Sequence, residues 1–482
     1  MTIKINQITE NNSLTENEKV FEWLDKYIAG QDDAKKSLIT IISCRDRRNK
    51  LKESELKQSI KPSHAIFHGP TGCGKSYLIS KLSEYKQIPF IKTEATQYTE
   101  VGYVGRDVEM MVKDLIDNSV NLVRKKHMDL IKDKVQGEVY HQIVSMLIKE
   151  DEAPSEIDTN LDHDHEEGHE EDDNQADFAD IFNHDRYDEL YEQLTAGKLD
   201  EREIEIEVVD DQGPSNMMGF DIPGSNQHIQ MSTFNISDIF NKVLGKKSTK
   251  VITTKIKDAV ELMMDDGSKK IINESQIIKE AINLAQNHGI IFIDEIDKII
   301  STQGVSTRGE VSKEGVQRDL LPLLDGTTVN TKYGPIKTDH ILFVAAGAFH
   351  ITKFSDLLPE LQGRFPLSVK LHPLNVGHFI DILTKKKHSL LEQHKSMLEI
   401  DNVNLIFADD AVETIAQIAA KMNQEIENTG ARRLRTIIDN ILEEINFEAE
   451  KYSNQDFVVT SEYIKSKMVQ AITEMDLRKF IL

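Results

Sequence analysis

The sequence predicts an α/β fold: a parallel sheet flanked by helices, interrupted by a mostly helical inserted domain and followed by a helical C-terminal domain. Three observations carry that prediction. The stretch "HAIFHGPTGCGKSYLISKL" has the order strand, glycine-rich turn, helix. A second apolar run, "HGIIFIDEIDKI" over residues 288–299, has the composition of a buried parallel strand and ends on Asp294 and Glu295. Between the two, the chain runs far past the roughly 30 residues of a βα unit, so a further domain is inserted. A chain of 482 residues has room for it, since that length suits about two to four domains.

Composition narrows the class of partner. The 58 Lys and Arg against 82 Asp and Glu give a net charge of −24, and between Glu150 and Asp180 the carboxylates crowd without a single Lys or Arg. A nucleic-acid binder needs a basic face, so no nucleic acid is expected. Two cysteines, Cys44 and Cys73, build neither a disulfide framework nor a four-cysteine zinc site, which predicts a reducing, cytoplasmic address. The opening "MTIKINQITENNSLTENEKV" has no signal-peptide or transit character, and no apolar run is long enough for a membrane span.

The first element is a strand from Ala65 to Phe67. Gly69, Pro70, Thr71, Gly72, Cys73 and Gly74 then form a turn, and a helix begins near Lys75 with Ser76 and Tyr77. This is the G-x-x-x-x-G-K-[ST] pattern between strand and helix. Its glycines let backbone N–H groups curl round a phosphate, and the helix N-terminus adds partial positive charge. Lys75 suits the β- and γ-phosphates and Ser76 a Mg²⁺ ion. Asp294, at the carboxyl end of the second strand, suits the same Mg²⁺ shell, and Glu295 is placed to polarise an attacking water; Asp297 reads as an ordinary acidic turn residue. Together they predict an ATPase using ATP and Mg²⁺.

A long amphipathic helix follows Arg106 and leads into the insertion, set at 121–275. Within it residues 151–174 are acidic and poor in apolar residues, the composition of a solvated loop; His163, His165 and His169 alternate with carboxylates there, without the scaffold a metal site requires. Order resumes near "YDELYEQLTAGKLDEREIEIEVVD", and the helix "ESQIIKEAINLAQN" returns to the core. The core thus comprises 1–120 and 276–371, with 372–482 as the C-terminal domain. Beyond Asp294 come the helix "SKEGVQRDLLPLLDG", a hairpin in "TTVNTKYGPIKTDH" and a strand "ILFVAAGAF". Arg364 sits where a helix meets the next strand. In "ENTGARRLRTIIDNILEEI" two arginines, Arg432 and Arg433, open a helix against its dipole, which suggests an anionic partner.

The segments "YIAGQDDAKKSL", "GPTGCGKS", "PFIKTEATQYTEVGYVGRDVE", "GIIFIDEIDKI", "SKEGVQRDLLPLLDG", "LPELQGR", "NTGARRLRT" and the terminal "DLRKFIL" together resemble the HslU (ClpY) family, the AAA+ unfoldase of the bacterial two-component HslUV protease. The resemblance implies an AAA+ core and a small sheet in the C-terminal domain. It makes Ile28 and Ala29, with Gly30 and Gln31, the adenine-contacting segment. Arg364 becomes an arginine finger offered to a neighbouring subunit, with Glu360 in the same intersubunit segment, and Arg432 becomes the sensor arginine. It further implies a homohexamer, and a pore loop in which Gly102 and Gly105 flank Tyr103 and Val104, which grip unfolded or tagged protein substrates. The tail Phe480, Ile481 and Leu482 is then the element that docks on the HslV threonine-type peptidase. Two departures stand out: Ala345 and Ala346 offer no polar side chain where many AAA+ proteins carry one, and the His-containing acidic tract has no counterpart. A ClpX-like unfoldase, whose zinc module needs four cysteines, and a stand-alone remodelling ATPase are the alternatives.

Overall fold

The computed structural model describes residues 14–52, 54–99, 105–152, 186–209, 249–271, 273–300 and 313–469. The strands, in chain order, are β1 (Ala65–His68), β2 (Phe90–Glu94), β3 (Glu203–Val209), β4 (Thr249–Lys255), β5 (Ile290–Asp294), β6 (Thr328–Thr331), β7 (Gly334–Lys337), β8 (Leu342–Gly347), β9 (Leu367–Lys370), β10 (Asn404–Phe407) and β11 (Asp456–Val459). Five of them form the central sheet in the order β2-β5-β8-β1-β9. Every neighbouring pair in it is parallel. All its strands therefore end on the same edge, at Glu94, Asp294, Gly347, His68 and Lys370.

The apolar runs of β5 and β8 are buried from Ile290 to Ile293 and along all of Leu342–Gly347. That is the pattern of strands covered on both faces. Phe67, Leu78, Ile79, Leu82, Phe292 and Val344 meet in one cluster with Leu24, Leu38 and Ile42 from the helices Glu16–Asp25 and Asp32–Asn49. Arg45 is buried at the opposite edge of the sheet and donates to the carbonyls of Asn287, His288, Gly289 and His340. It thus ties the end of the helix Glu274–His288, where last-turn carbonyls lack intrahelical donors, to the segment that leads into β8. Burial holds its guanidinium pKa down at about 9.

The chain divides into two compact units, Met1–Val123 with Ile278–Leu482, and Arg124–Ile277. Both boundaries fall inside helices, Met110–Glu152 and Glu274–His288. The first of these continues through Asp151 and Glu152, two residues into the stretch expected to be a solvated loop; an apolar seam of Val139, Ile143, Val144 and Leu147 buried just upstream carries the helix that far. The remainder of 151–174 lies outside the described residues. In the second unit the antiparallel pair β3–β4 and the helix Ile256–Ile271 cover that seam through Ile204, Ile206, Ile256 and Ala259.

The C-terminal part of the first unit has its own core. The helices Val376–Thr384, Asp409–Glu425 and Arg432–Phe447 pack through Phe379, Ile415, Ile438 and Leu442, beside the two-stranded parallel pair β10–β11. No helix among the described residues is long and apolar enough to cross a membrane.

Candidate nucleotide site

The turn after β1 is shaped by glycine. Gly69, Gly72 and Gly74 have φ of 155°, 71° and 96°. A Cβ on Gly72 would lie 2.1 Å from the carbonyl oxygen of Thr429, whereas one on Gly74 would meet nothing within 4 Å. The turn is therefore packed on one side and open on the other. Gly74 is the N-cap of the helix Lys75–Lys86 and supplies no side-chain cap, so the first-turn N–H groups keep their donor capacity for an external acceptor. Lys75 donates to the carbonyls of Gly69 (2.7 Å) and Pro70 (2.9 Å), which folds its ammonium over the turn. Ser76 is half-buried beside it, Tyr77 is exposed, and Cys73 is buried, its thiol pKa pushed up by desolvation. This donor set fits a phosphate chain.

Asp294 ends β5, separated from β1 only by β8. β1, β8 and β5 run parallel, so Asp294 stands at the same edge of the sheet as the turn that follows β1. Asp294 Oδ1 accepts the Glu295 N–H at 3.1 Å, and Lys92 Nζ on β2 lies 3.2 Å from Oδ2. Glu295 adopts φ 56° and is exposed. That left-handed residue turns the chain sharply at the strand end and leaves the carboxylate free to face solvent. Asp297 is buried, and its Oδ1 accepts the Ala348 N–H at 3.3 Å, so it joins β5 to the end of β8. Ala345 and Ala346 are fully buried within β8. His68, at the end of β1, is held below its ordinary pKa by burial and by Lys370 and Lys75.

Two further segments meet the turn. Gly430, with φ 58°, would bring a Cβ to 2.5 Å from the Gly72 backbone, and the Ala431 N–H donates to Gly72 O at 3.0 Å. Asn423 fixes the approach by donating to Gly430 O and accepting from the Thr429 N–H. The two arginines then part company. Arg433 is spent on the Glu427 carbonyl at 2.7 Å and on Asn423, while Arg432, at the start of the helix, remains exposed. Ile28 and Ala29 are buried; behind them the Gln31 amide donates to His372 O and accepts the His372 N–H, at 2.7 and 2.9 Å. Leu371, one residue earlier, packs on Gly69, and Gly30 sits against the His378 ring.

Arg364 and Glu360 do not join this cluster. They lie in the helix Pro359–Arg364, ahead of β9, and Arg364 forms an ion pair with Asp325. Leu367 is paired with Ala65, the first residue of β1, so Arg364 belongs to the edge opposite the turn. Gly105 packs against Thr99; Gly102, Tyr103 and Val104, and the tail Phe480, Ile481 and Leu482, lie outside the described residues. Sequence reasoning missed Lys92, Asn423, His372 and His378. The lysine in "PFIKTE" is the one legible signal, a charge at the middle of a short strand.

The family described as AAA domain (Cdc48 subfamily) matches residues 201–368, a span that contains β5 and β8 and begins after the glycine-rich turn. The chain is 42% identical over 459 residues, 95% of this chain and 97% of the relative, to the ATP-dependent protease ATPase subunit HslU of Bartonella tribocorum. It is 42% identical over 487 aligned positions, 98% and 100% of the two chains, to the protein of the same name from Caldicellulosiruptor saccharolyticus. That of Sinorhizobium fredii is 40% identical over 459 residues, covering 95% and 97%.

Proposed function

The chain belongs to the HslU family, whose members are named as ATPase subunits of an ATP-dependent protease, and on that premise we propose that it is a ring-forming, ATP-driven protein unfoldase that feeds an HslV peptidase. The observation that carries the proposal is the meeting, at one edge of a parallel sheet, of the Gly69–Ser76 turn, the Asp294–Glu295 pair and the Gly430–Arg432 segment. Such a crevice outside the carboxyl ends of the strands is where doubly wound sheets bind nucleotides.

Mg²⁺, held through Ser76 and Asp294, would supply charge neutralisation to the β- and γ-phosphates of bound ATP. The chain's own groups do the rest. Backbone N–H groups of residues 72–76 bind the phosphates, and Lys75 exchanges two carbonyls for phosphate oxygens. Glu295, exposed at the strand end, orients and deprotonates the attacking water. Ile28 and Ala29 wall the base, and Arg432 faces the phosphates from the segment docked on Gly72.

Arg364 supports the ring. It sits at the edge of the sheet opposite its own phosphate turn, so any phosphate it meets belongs to another copy. An arginine supplied in trans makes hydrolysis depend on assembly, and closed rings are what head-to-tail contacts build. Tyr103 and Val104 are then the grip on the substrate and Phe480, Ile481 and Leu482 the contact with the peptidase.

The test is degradation of an unfolded model protein with ATP, with and without the cognate HslV peptidase, by the full chain and by one lacking Phe480, Ile481 and Leu482. Degradation that needs ATP and both components, and disappears on truncation, is expected. ATP hydrolysis without any activation of the peptidase would instead favour a stand-alone remodelling ATPase. Tyr103→Ala should hydrolyse ATP yet fail to translocate; continued degradation of a folded substrate by that variant would remove the pore assignment.

A further inference from the structure

We propose that Lys92 is a positioning residue that holds Asp294 in the nucleotide-free site, yields it when Mg²⁺ and nucleotide bind, and passes that release along β2 to the hydrogen bond between Thr99 and Arg106. The inference rests on the nucleotide-binding proposal above and deepens it.

Both carboxylate oxygens of Asp294 are held by the chain itself: Oδ1 by the Glu295 N–H, Oδ2 by Lys92 Nζ at 3.2 Å. A divalent cation held through Asp294 competes with the ammonium for the same carboxylate, because two cations on one acceptor repel. Lys92 can give way, since its side chain is 41% exposed while that of Asp294 is 20% exposed. Its strand lies at one edge of the five-stranded sheet, paired among the described residues with β5 alone, so one side of β2 carries no strand pairing to hold it.

What β2 leads into is tightly built. Two residues beyond Lys92, Glu94 stands in register with Asp294. The chain then makes one tight turn, Ala95–Gln97, and reaches Tyr98, whose hydroxyl is 2.6 Å from Thr93 Oγ1 and which is 3% exposed. The next residue, Thr99, donates its N–H to Arg106 O at 3.1 Å. Arg106 in turn lies over the Tyr98 ring and donates to Asp114 at 2.7 Å. From Lys92 to Thr99 there is strand, turn, buried hydrogen bond and a backbone hydrogen bond to Arg106, with no slack segment to absorb a displacement. A charge change at Asp294 is in this way coupled to the Thr99–Arg106 pair through contiguous packed groups.

The experiment uses the full chain and its Lys92→Met, Lys92→Gln and Lys92→Arg variants. Two readouts are taken: Mg²⁺ titration of a fluorescent adenine nucleotide, and hydrogen exchange at the Thr99 amide with and without Mg²⁺-nucleotide. In the parent chain Mg²⁺-nucleotide changes Thr99 exchange. Lys92→Met and Lys92→Gln abolish that change and lower the half-saturating Mg²⁺ by about threefold, the scale of a part-exposed ion pair; Lys92→Arg behaves as the parent. A lysine that merely props the strand would raise the half-saturating Mg²⁺ when removed, and that result overturns the proposal. So does a Thr99 response that survives in Lys92→Met, or is missing from a parent chain that binds nucleotide; in both cases the ATPase proposal stands. A parent chain that binds no nucleotide sinks both.

Discussion

Replacing Gly430 by alanine tests how the helical C-terminal part is tied to the phosphate turn. Gly430 has φ 58°, a conformation that costs an alanine about 1 kcal/mol or somewhat more. Its Cβ would arrive 2.5 Å from Gly72 C and O and 2.6 Å from Thr71 O, all backbone atoms that no rotamer change can remove. The two segments must separate by close to an ångström to restore ordinary contact. That shift takes the Ala431 N–H to Gly72 O bond, now 3.0 Å, beyond hydrogen-bonding range, a loss of about 1 kcal/mol. The local cost is therefore about 2–3 kcal/mol, and exchange of the Ala431 amide should accelerate roughly 30- to 150-fold. Nucleotide affinity should fall with it, because Arg432 travels with Ala431. Gly137→Ala is the control of opposite sign: its Cβ meets nothing within 4 Å in a helix interior, so about 0.5–1 kcal/mol of stabilisation is expected. Exchange at Ala431 that stays within twofold of the parent in Gly430→Ala would refute the reasoning.

Glu295→Gln should retain nucleotide affinity while losing at least about a hundredfold in kcat for phosphate release, the usual worth of a general base; a loss under tenfold would remove that role. Arg364→Ala and Lys75→Ala should each be inactive alone, but random one-to-one mixed rings should recover about a quarter of the parental ATPase, since a site needs one intact residue from each of two neighbours. A mixture as inactive as its components would mean that Arg364 does not act across subunits. His64 is buried, accepts the Phe343 N–H on Nδ1, and has a pKa lowered to about 4, chiefly by burial. The unfolded imidazole, near 6.5, takes up the proton first, so stability is complete above about pH 6.5, declines as pH falls to about 4, and is flat below. Urea denaturation at pH 7, 5.5 and 4 should show roughly 3 kcal/mol from this group, and His64→Gln should remove it; an unchanged pH slope in that variant would contradict the assignment.

The sequence by itself determined the elements whose residue types have no other use. A glycine turn between strand and helix, with Lys75 and Ser76 behind it, and an apolar strand closing on Asp294 and Glu295 were legible because local sterics and burial alone demand those residues at those positions. The helix carrying Arg432 and the strand-helix junction at Arg364 were legible for the same reason. Which of these groups meet was decided only by the tertiary structure. Strand order is a long-range property: β8 lies between β1 and β5 although it follows both in the chain, and nothing local specifies that. The near-contact of Gly72 with Gly430, the clasp of Gln31 on His372 and the ion pair of Lys92 with Asp294 each join segments far apart in sequence. Arg432 and Arg433 make the point within a single dipeptide: identical in type and adjacent, one is bound to the Glu427 carbonyl and the other left exposed, because successive helical residues point some 100° apart and only the fold determines what each of them faces.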